Sequence, residues 1–106
     1  MQGEAWYEED LALLPARVHL ILRALLEDED HIMSTVELEK VTGIKGHSLG
    51  GALSAFGKYP YKDWLVRPIA RIGGRRTPFN PKPWARIWQL NPRYVPLLED
   101  FYESWR

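Results

Sequence analysis

At Trp64 the periodicity of the chain changes. Upstream, apolar residues recur at helical spacing. Downstream, WLVRPIAR (64–71) and WARIWQL (84–90) are dense in β-branched and aromatic residues. They flank IGGRRTPFNPKP (72–83), whose Gly73-Gly74 pair and three prolines can continue neither strand. Helices followed by a hairpin and a further helix restrict the chain to an α+β architecture, mostly α with a small antiparallel β-hairpin over 64–90. Pro68 removes a ladder donor, so its strand is expected at an edge or with a bulge. With 106 residues, 45% of them apolar, there is material for one core and hence one domain, 1–106, and too little chain for a large sheet covered on both faces.

Three helical regions are predicted. Over 15–27, Pro15 suits the first helical position and Leu14, Val18, Ile21, Leu22 and Leu25 form one buried face. The acidic run Glu27-Asp28-Glu29-Asp30 marks the exit, as a solvated turn. Over 35–58 two short helices are expected. Ser34 and Glu37 form a capping box, Met33 and Leu38 a hydrophobic staple, and Gly43 a left-handed C-cap, with Leu38 and Val41 facing inward. Ser48 is expected to cap the second helix, which buries Leu49, Ala52, Leu53 and Phe56. Over 92–105, Asn91-Pro92 opens a terminal helix, Pro96 delays it by a turn, and Tyr94, Leu97, Leu98, Phe101 and Trp105 form an apolar stripe.

This order resembles the winged helix-turn-helix superfamily, here with additional terminal helices. The residues that carry the resemblance are STVELEKVTGIKGHSLGGALSAFGK (34–58) for the helix-turn-helix and WLVRPIARIGGRRTPFNPKPWARIWQLNP (64–92) for the wing. In that family His31-Ile32-Met33 would be a short strand before the second helix. The resemblance implies a double-stranded DNA binder with the helix starting near Ser48 in the major groove and the wing on adjacent backbone or minor groove.

The formal charge is zero but unevenly spread: residues 1–43 hold ten acidic side chains against three basic, and 44–106 hold eleven basic against four acidic. Between residues 45 and 93, ten cations face only Asp63. Such a block suits a polyanion. The candidate DNA contacts are Lys45, His47, Ser48, Gly51, Ser54 and Lys58 on the helix-turn-helix, and Arg71, Arg75, Arg76, Lys82 and Arg86 on the wing. No arginine, glutamine or asparagine stands on the outward side of the helix at Ser48, so direct base readout through it is sparse. That sparseness favours a second reading, a winged-helix protein-interaction module in a larger assembly. Gly50-Gly51 has two readings: a helix backbone free to sit deep in a groove, or close packing against the first helix.

Gly46-His47-Ser48-Leu49-Gly50 is also a literal G-x-S-x-G, the pattern of a hydrolase nucleophile elbow. An elbow needs a buried strand before the serine and a histidine after it. Here a helix precedes, and His19, His31 and His47 all come earlier in the chain. Serine hydrolase is therefore the remote third reading, and the chain is read as non-enzymatic, with no cofactor. The histidines lack metal-ligand spacing and are assigned surface or capping roles. Trp64, Trp84 and Trp88 are assigned to the core, with base stacking by Trp84, Trp88 or Phe79 as the alternative.

The chain has no cysteine, no apolar run long enough to span a bilayer, and an acidic start unlike a secretion signal. A cytoplasmic protein without membrane contact is expected. The stripe Tyr94, Leu97, Leu98, Phe101 and Trp105 is expected to join two copies into a homodimer. The alternative is that it packs inside one chain on the second apolar patch of Trp6, Tyr7, Leu11 and Leu14.

Overall fold

The computed structural model describes residues 4–58, 62–72 and 85–104. Helix α1 (Glu8–Ala12), not anticipated from the sequence, precedes α2 (Ala16–Glu27), which follows Pro15 directly. Val18, Ile21, Leu22 and Leu25 are buried as their spacing predicts. The acidic run after α2 is more than a solvated turn. Asp28 Oδ2 accepts the backbone N–H groups of Asp30 and Ile32 at 3.1 and 3.2 Å. His31, at φ +58°, places Nδ1 3.0 Å from the Leu25 carbonyl, satisfying an acceptor in the last turn.

Strand β1 (Ile32–Ser34) leads into α3 (Thr35–Thr42). Both arms of the capping box form: Ser34 Oγ accepts from the Glu37 N–H at 3.1 Å, and Glu37 Oε1 accepts from the Ser34 N–H at 3.2 Å. Gly43, at φ +74°, ends the helix, its N–H donating to Glu39 O. Leu38 is fully buried, but Val41, expected beside it, is 57% exposed. Three residues on a helix turn through about 300°, so with Leu38 centred on the core Val41 is rotated to the flank. Helix α4 (Gly46–Ser54) continues into a 3-10 turn (Ala55–Lys58), and Leu49, Ala52, Leu53 and Phe56 are all buried.

Strands β2 (Val66–Ile72) and β3 (Ala85–Leu90) complete an antiparallel sheet in the order β1-β3-β2. The wing is therefore a hairpin whose second strand also pairs with β1, Met33 opposite Trp88. Pro68 lies on the edge strand, and the register shifts between Pro68 and Ala70, so the strand has both the edge position and the bulge. Trp88 and Leu90 are buried against the helices, whereas Trp64 is 51% exposed and outside the core to which it was assigned. It precedes β2, and the fully buried Leu65 and Val66 take the inward positions there. Trp84 and Phe79 lie outside the described residues.

A 3-10 turn (Pro92–Tyr94), capped by Asn91 Oδ1 accepting from the Arg93 N–H, precedes α5 (Val95–Glu103) with Pro96 in its first turn. The terminal stripe points inward. Tyr94, Leu98 and Phe101 are buried in one core with Trp6, Leu11 and Leu14, and the Trp6 N–H donates to the Tyr94 hydroxyl at 3.3 Å. The apolar surface expected to join two copies is thus covered within the chain. Leu97 is half-buried beside that core, and Trp105 lies outside the described residues. Among the described residues no helix is long and apolar enough to cross a membrane.

His19 is buried, not on the surface or in a cap. Its ring stacks on Phe101 at 5.8 Å and its Nδ1 lies 2.7 Å from the Tyr102 hydroxyl, fastening α5 to α2. Burial lowers its pKa from the ordinary 6.5, outweighing opposing hydrogen bonds to the Leu14 and Leu11 carbonyls. The folded chain therefore holds His19 neutral where the unfolded chain protonates it. Stability should be full above about pH 6.5 and decline as pH falls below it towards the depressed folded value. Urea midpoints at about pH 7.5 and 5.5 should differ less in His19→Phe than in the parent; an equal difference would assign the decline to other groups. Leu98→Asp should unfold the chain, since it buries an unpaired carboxylate. A folded variant by circular dichroism, with halved mass by light scattering, would restore the stripe as an interface.

Candidate nucleic-acid interface

The left-handed Gly43 sets the direction in which α4 leaves α3, and the buried face of α4 then fixes which residues look outward. His47, Ser48, Gly51 and Ser54 are exposed together on that side, and Lys45, exposed, occupies the cap position. Helix α4 starts at Gly46, two residues before Ser48, so Ser48 is not the cap that the sequence suggests; no side-chain cap bond is made. The reason is local: Lys45 is the last extended residue, at ψ 159°, and already accepts the first helical bond, from the Leu49 N–H at 2.8 Å. Ser54 Oγ donates to Gly50 O at 2.7 Å, which leaves its oxygen as an acceptor on the outward face. A Cβ added at Gly50 or Gly51 would meet nothing within 4 Å among the described residues, so close packing on the first helix is not what these glycines serve.

On the wing, Arg86 is exposed and its side chain has no partner among the described residues. The register sets Arg71 opposite Arg86. Arg75, Arg76 and Lys82 lie outside the described residues, as do the side chains of Lys58 and Arg71. Thr35, which sequence reading passed over, ties this wing to α3. Its hydroxyl donates to Arg86 O at 3.2 Å and accepts from the Trp88 indole at 3.1 Å. Only the strand register reveals that contact, because 51 residues separate Thr35 from Arg86.

Three other cations of the basic block are engaged elsewhere. Lys62 pairs with Asp10 at 3.0 Å, and Arg93 with Asp63 at 3.1 Å. Burial would raise the Asp10 pKa, but the Lys62 bond and charge and the Tyr7 N–H hold it below the usual value. Arg67 donates through Nε and Nη2 to Gln89 Oε1 across the strands. Asp63, the single carboxylate between Glu39 and Glu99, is taken up by Arg93 and by the Tyr94 hydroxyl at 3.1 Å. The described face formed by α4 and the wing therefore has free cations at its margins and no free carboxylate from that stretch of chain.

The same geometry disposes of the elbow pattern, because Ser48 lies in the first turn of a helix preceded by another helix. His19 is committed to Tyr102 and His31 to the Leu25 carbonyl, while His47 is the neighbouring exposed residue.

A helix-turn-helix followed by a β-hairpin that pairs with the strand before it is a winged-helix-like fold. Comparison with known proteins agrees. No family model and no curated protein sequence matches the chain. Among solved structures it is similar to NadR, a MarR-type winged-helix transcriptional regulator, in a crystal structure with 4-hydroxyphenylacetate. The TM-score is 0.61 at 20% identity over 91% of this chain, which spans 58% of NadR. At that identity the likeness establishes fold.

Ser48→Ala should change stability by less than about 0.5 kcal/mol, because an exposed hydroxyl without a cap bond is removed. Ser34→Ala should cost about 1 kcal/mol through loss of the capping box. Chemical denaturation separates them. Hydrolysis of a small ester by the parent, abolished by Ser48→Ala, would overturn the helical reading of this serine.

Proposed function

We propose that the chain binds double-stranded DNA as a winged-helix transcriptional regulator. Helix α4 lies in the major groove and the wing lies on the flanking backbone or minor groove. The observation that carries this reading is electrostatic. The α4 and wing face has Lys45 and Arg86 exposed, and the one carboxylate of its stretch of chain is neutralised internally. The bare side of α4, with Gly51 and Ser54 outward, suits close approach of the helix backbone more than side-chain readout of bases. Specificity on this reading comes chiefly from phosphate positioning and from DNA shape. Lys58 adds to the contacts of the helix-turn-helix, and Arg71, Arg75, Arg76 and Lys82 extend them along the wing. The fold likeness to a regulator supports the same conclusion.

A homodimer on a palindromic site belongs to the proposal only if the copies meet elsewhere than through Tyr94, Leu98 and Phe101. The absence of a bidentate base reader among His47, Ser48, Gly51 and Ser54 favours the protein-interaction module, and the same experiment separates the two. Binding to a mixed-sequence duplex should weaken steeply with salt. If about six phosphates are neutralised, the log-log slope is near −5, and Lys45→Ala with Arg86→Ala together should bring it about two units nearer zero. A flat salt response, or no binding at low salt, would reject DNA and leave the interaction module.

A further inference from the structure

Trp64 stands at the foot of the wing, next to the fully buried Leu65 and Val66, yet is itself 51% exposed. Its backbone is pinned on both sides. The Trp64 N–H donates to Asp63 Oδ1 at 2.9 Å, and its carbonyl accepts from Asn91 Nδ2 at 2.7 Å. Both partners are held in turn, Asp63 by Arg93 and Tyr94, and Asn91 through its N–H, which donates to the Leu65 carbonyl at 2.9 Å. An indole held in water on a rigid mount is not explained by folding, since burying it would be favourable.

The indole shares a groove with Gly50 and Ser54 of α4 and with Pro68 and Arg86 of the wing, all of them exposed. At Gly50 the α4 side is bare backbone, and a Cβ added there would meet nothing within 4 Å. Arg86 is the charged residue of the groove, and among the described residues no carboxylate lines it. With α4 in a major groove and the wing on the flanking backbone, one sugar–phosphate strand has to cross this space. Such a strand alternates apolar deoxyribose faces with anionic phosphates, and the groove offers an indole and a guanidinium.

We infer that Trp64 is a DNA contact, its indole packing on deoxyribose of the strand that passes between α4 and the wing while Arg86 takes a neighbouring phosphate. The inference rests on the DNA reading and adds to it a contribution of another kind. Phosphate contacts release counterions and set the salt dependence, whereas an indole buried against a sugar removes apolar surface from water and contributes alike at every salt concentration. The contact carries no base information, because every nucleotide presents the same sugar, in keeping with an α4 that has few base readers. A ring that is already fixed loses little freedom on binding.

The test is fluorescence anisotropy of a labelled mixed-sequence duplex titrated with the full chain at several salt concentrations. Trp64→Ala should weaken binding about tenfold at every concentration and leave the log-log slope unchanged, while Arg86→Ala should bring the slope about one unit nearer zero. Trp64→Phe, which keeps a flat apolar ring, should lose less than about threefold. Circular dichroism should show both Trp64 variants folded, because the side chain removed is half exposed. Unchanged affinity in Trp64→Ala, a slope change as large as that of Arg86→Ala, or loss of folding in both Trp64 variants would overturn the contact. A parent chain that binds no duplex would end the DNA reading and this inference together. Salt-dependent duplex binding that is indifferent to Trp64→Ala would end the inference alone.

Discussion

Asp63 joins three stretches of chain that lie far apart in sequence. Its backbone N–H donates to Glu4 O, and its carbonyl accepts the Trp6 indole N–H at 2.6 Å. Its carboxylate meets Arg93 and Tyr94 at the start of the terminal helical segment. Beside it, Lys62 bonds to Ala5 O and Asp10 and lies over the Trp6 ring. Trp6 therefore closes the core from the N-terminal side, while Tyr94 and Leu98 close it from the C-terminal side. Lys62, Asp10 and Asp63 are partly shielded and bonded to more than one partner, which makes them worth more than isolated surface charges. The position of α4 and the wing depends on it indirectly, because the core on which they rest is completed there.

The junction also explains how a chain of zero net charge keeps a cationic face. Two of its contacts are ion pairs, and each withdraws a cation from the basic block to satisfy an acid. Of the other acids of the first half, Glu37 completes a capping box and Asp28 organises the turn after α2.

What was legible in the sequence was local. The limits of α2, the capping box at Ser34, the left-handed stop at Gly43, the buried positions of α4 and the irregularity at Pro68 all follow from neighbours within a turn or a strand. The misplacements arose where a distant segment decides. Trp64 is an exception, displaced from the core by its own neighbours, Leu65 and Val66, which take the inward positions. The stripe from Tyr94 to Phe101 looks free until Trp6 meets Tyr94 and His19 of α2 stacks on Phe101, and His19 looks superficial until Tyr102 reaches it. Ser48 is a different kind of error, a good cap residue two positions inside a helix that begins at Gly46. Of the candidate interface, the outward side of α4 could be read from helical periodicity. The tie from Thr35 to Arg86 and Trp88 could not, because it depends on which strand pairs beside the start of α3.

That bulge bears on how the molecule coexists with its own copies. Strand β2 is the outer strand of its sheet, and the outer edge of a seven-residue strand is a ready template for pairing with another chain. Pro68 contributes no donor to such a ladder, and the extra residue at Ile69 breaks the alternation that a partner strand would have to match. The bulge thus makes the outer edge of the wing a poor seed for intermolecular β-structure, which for a small protein with several exposed apolar side chains is a protection against aggregation.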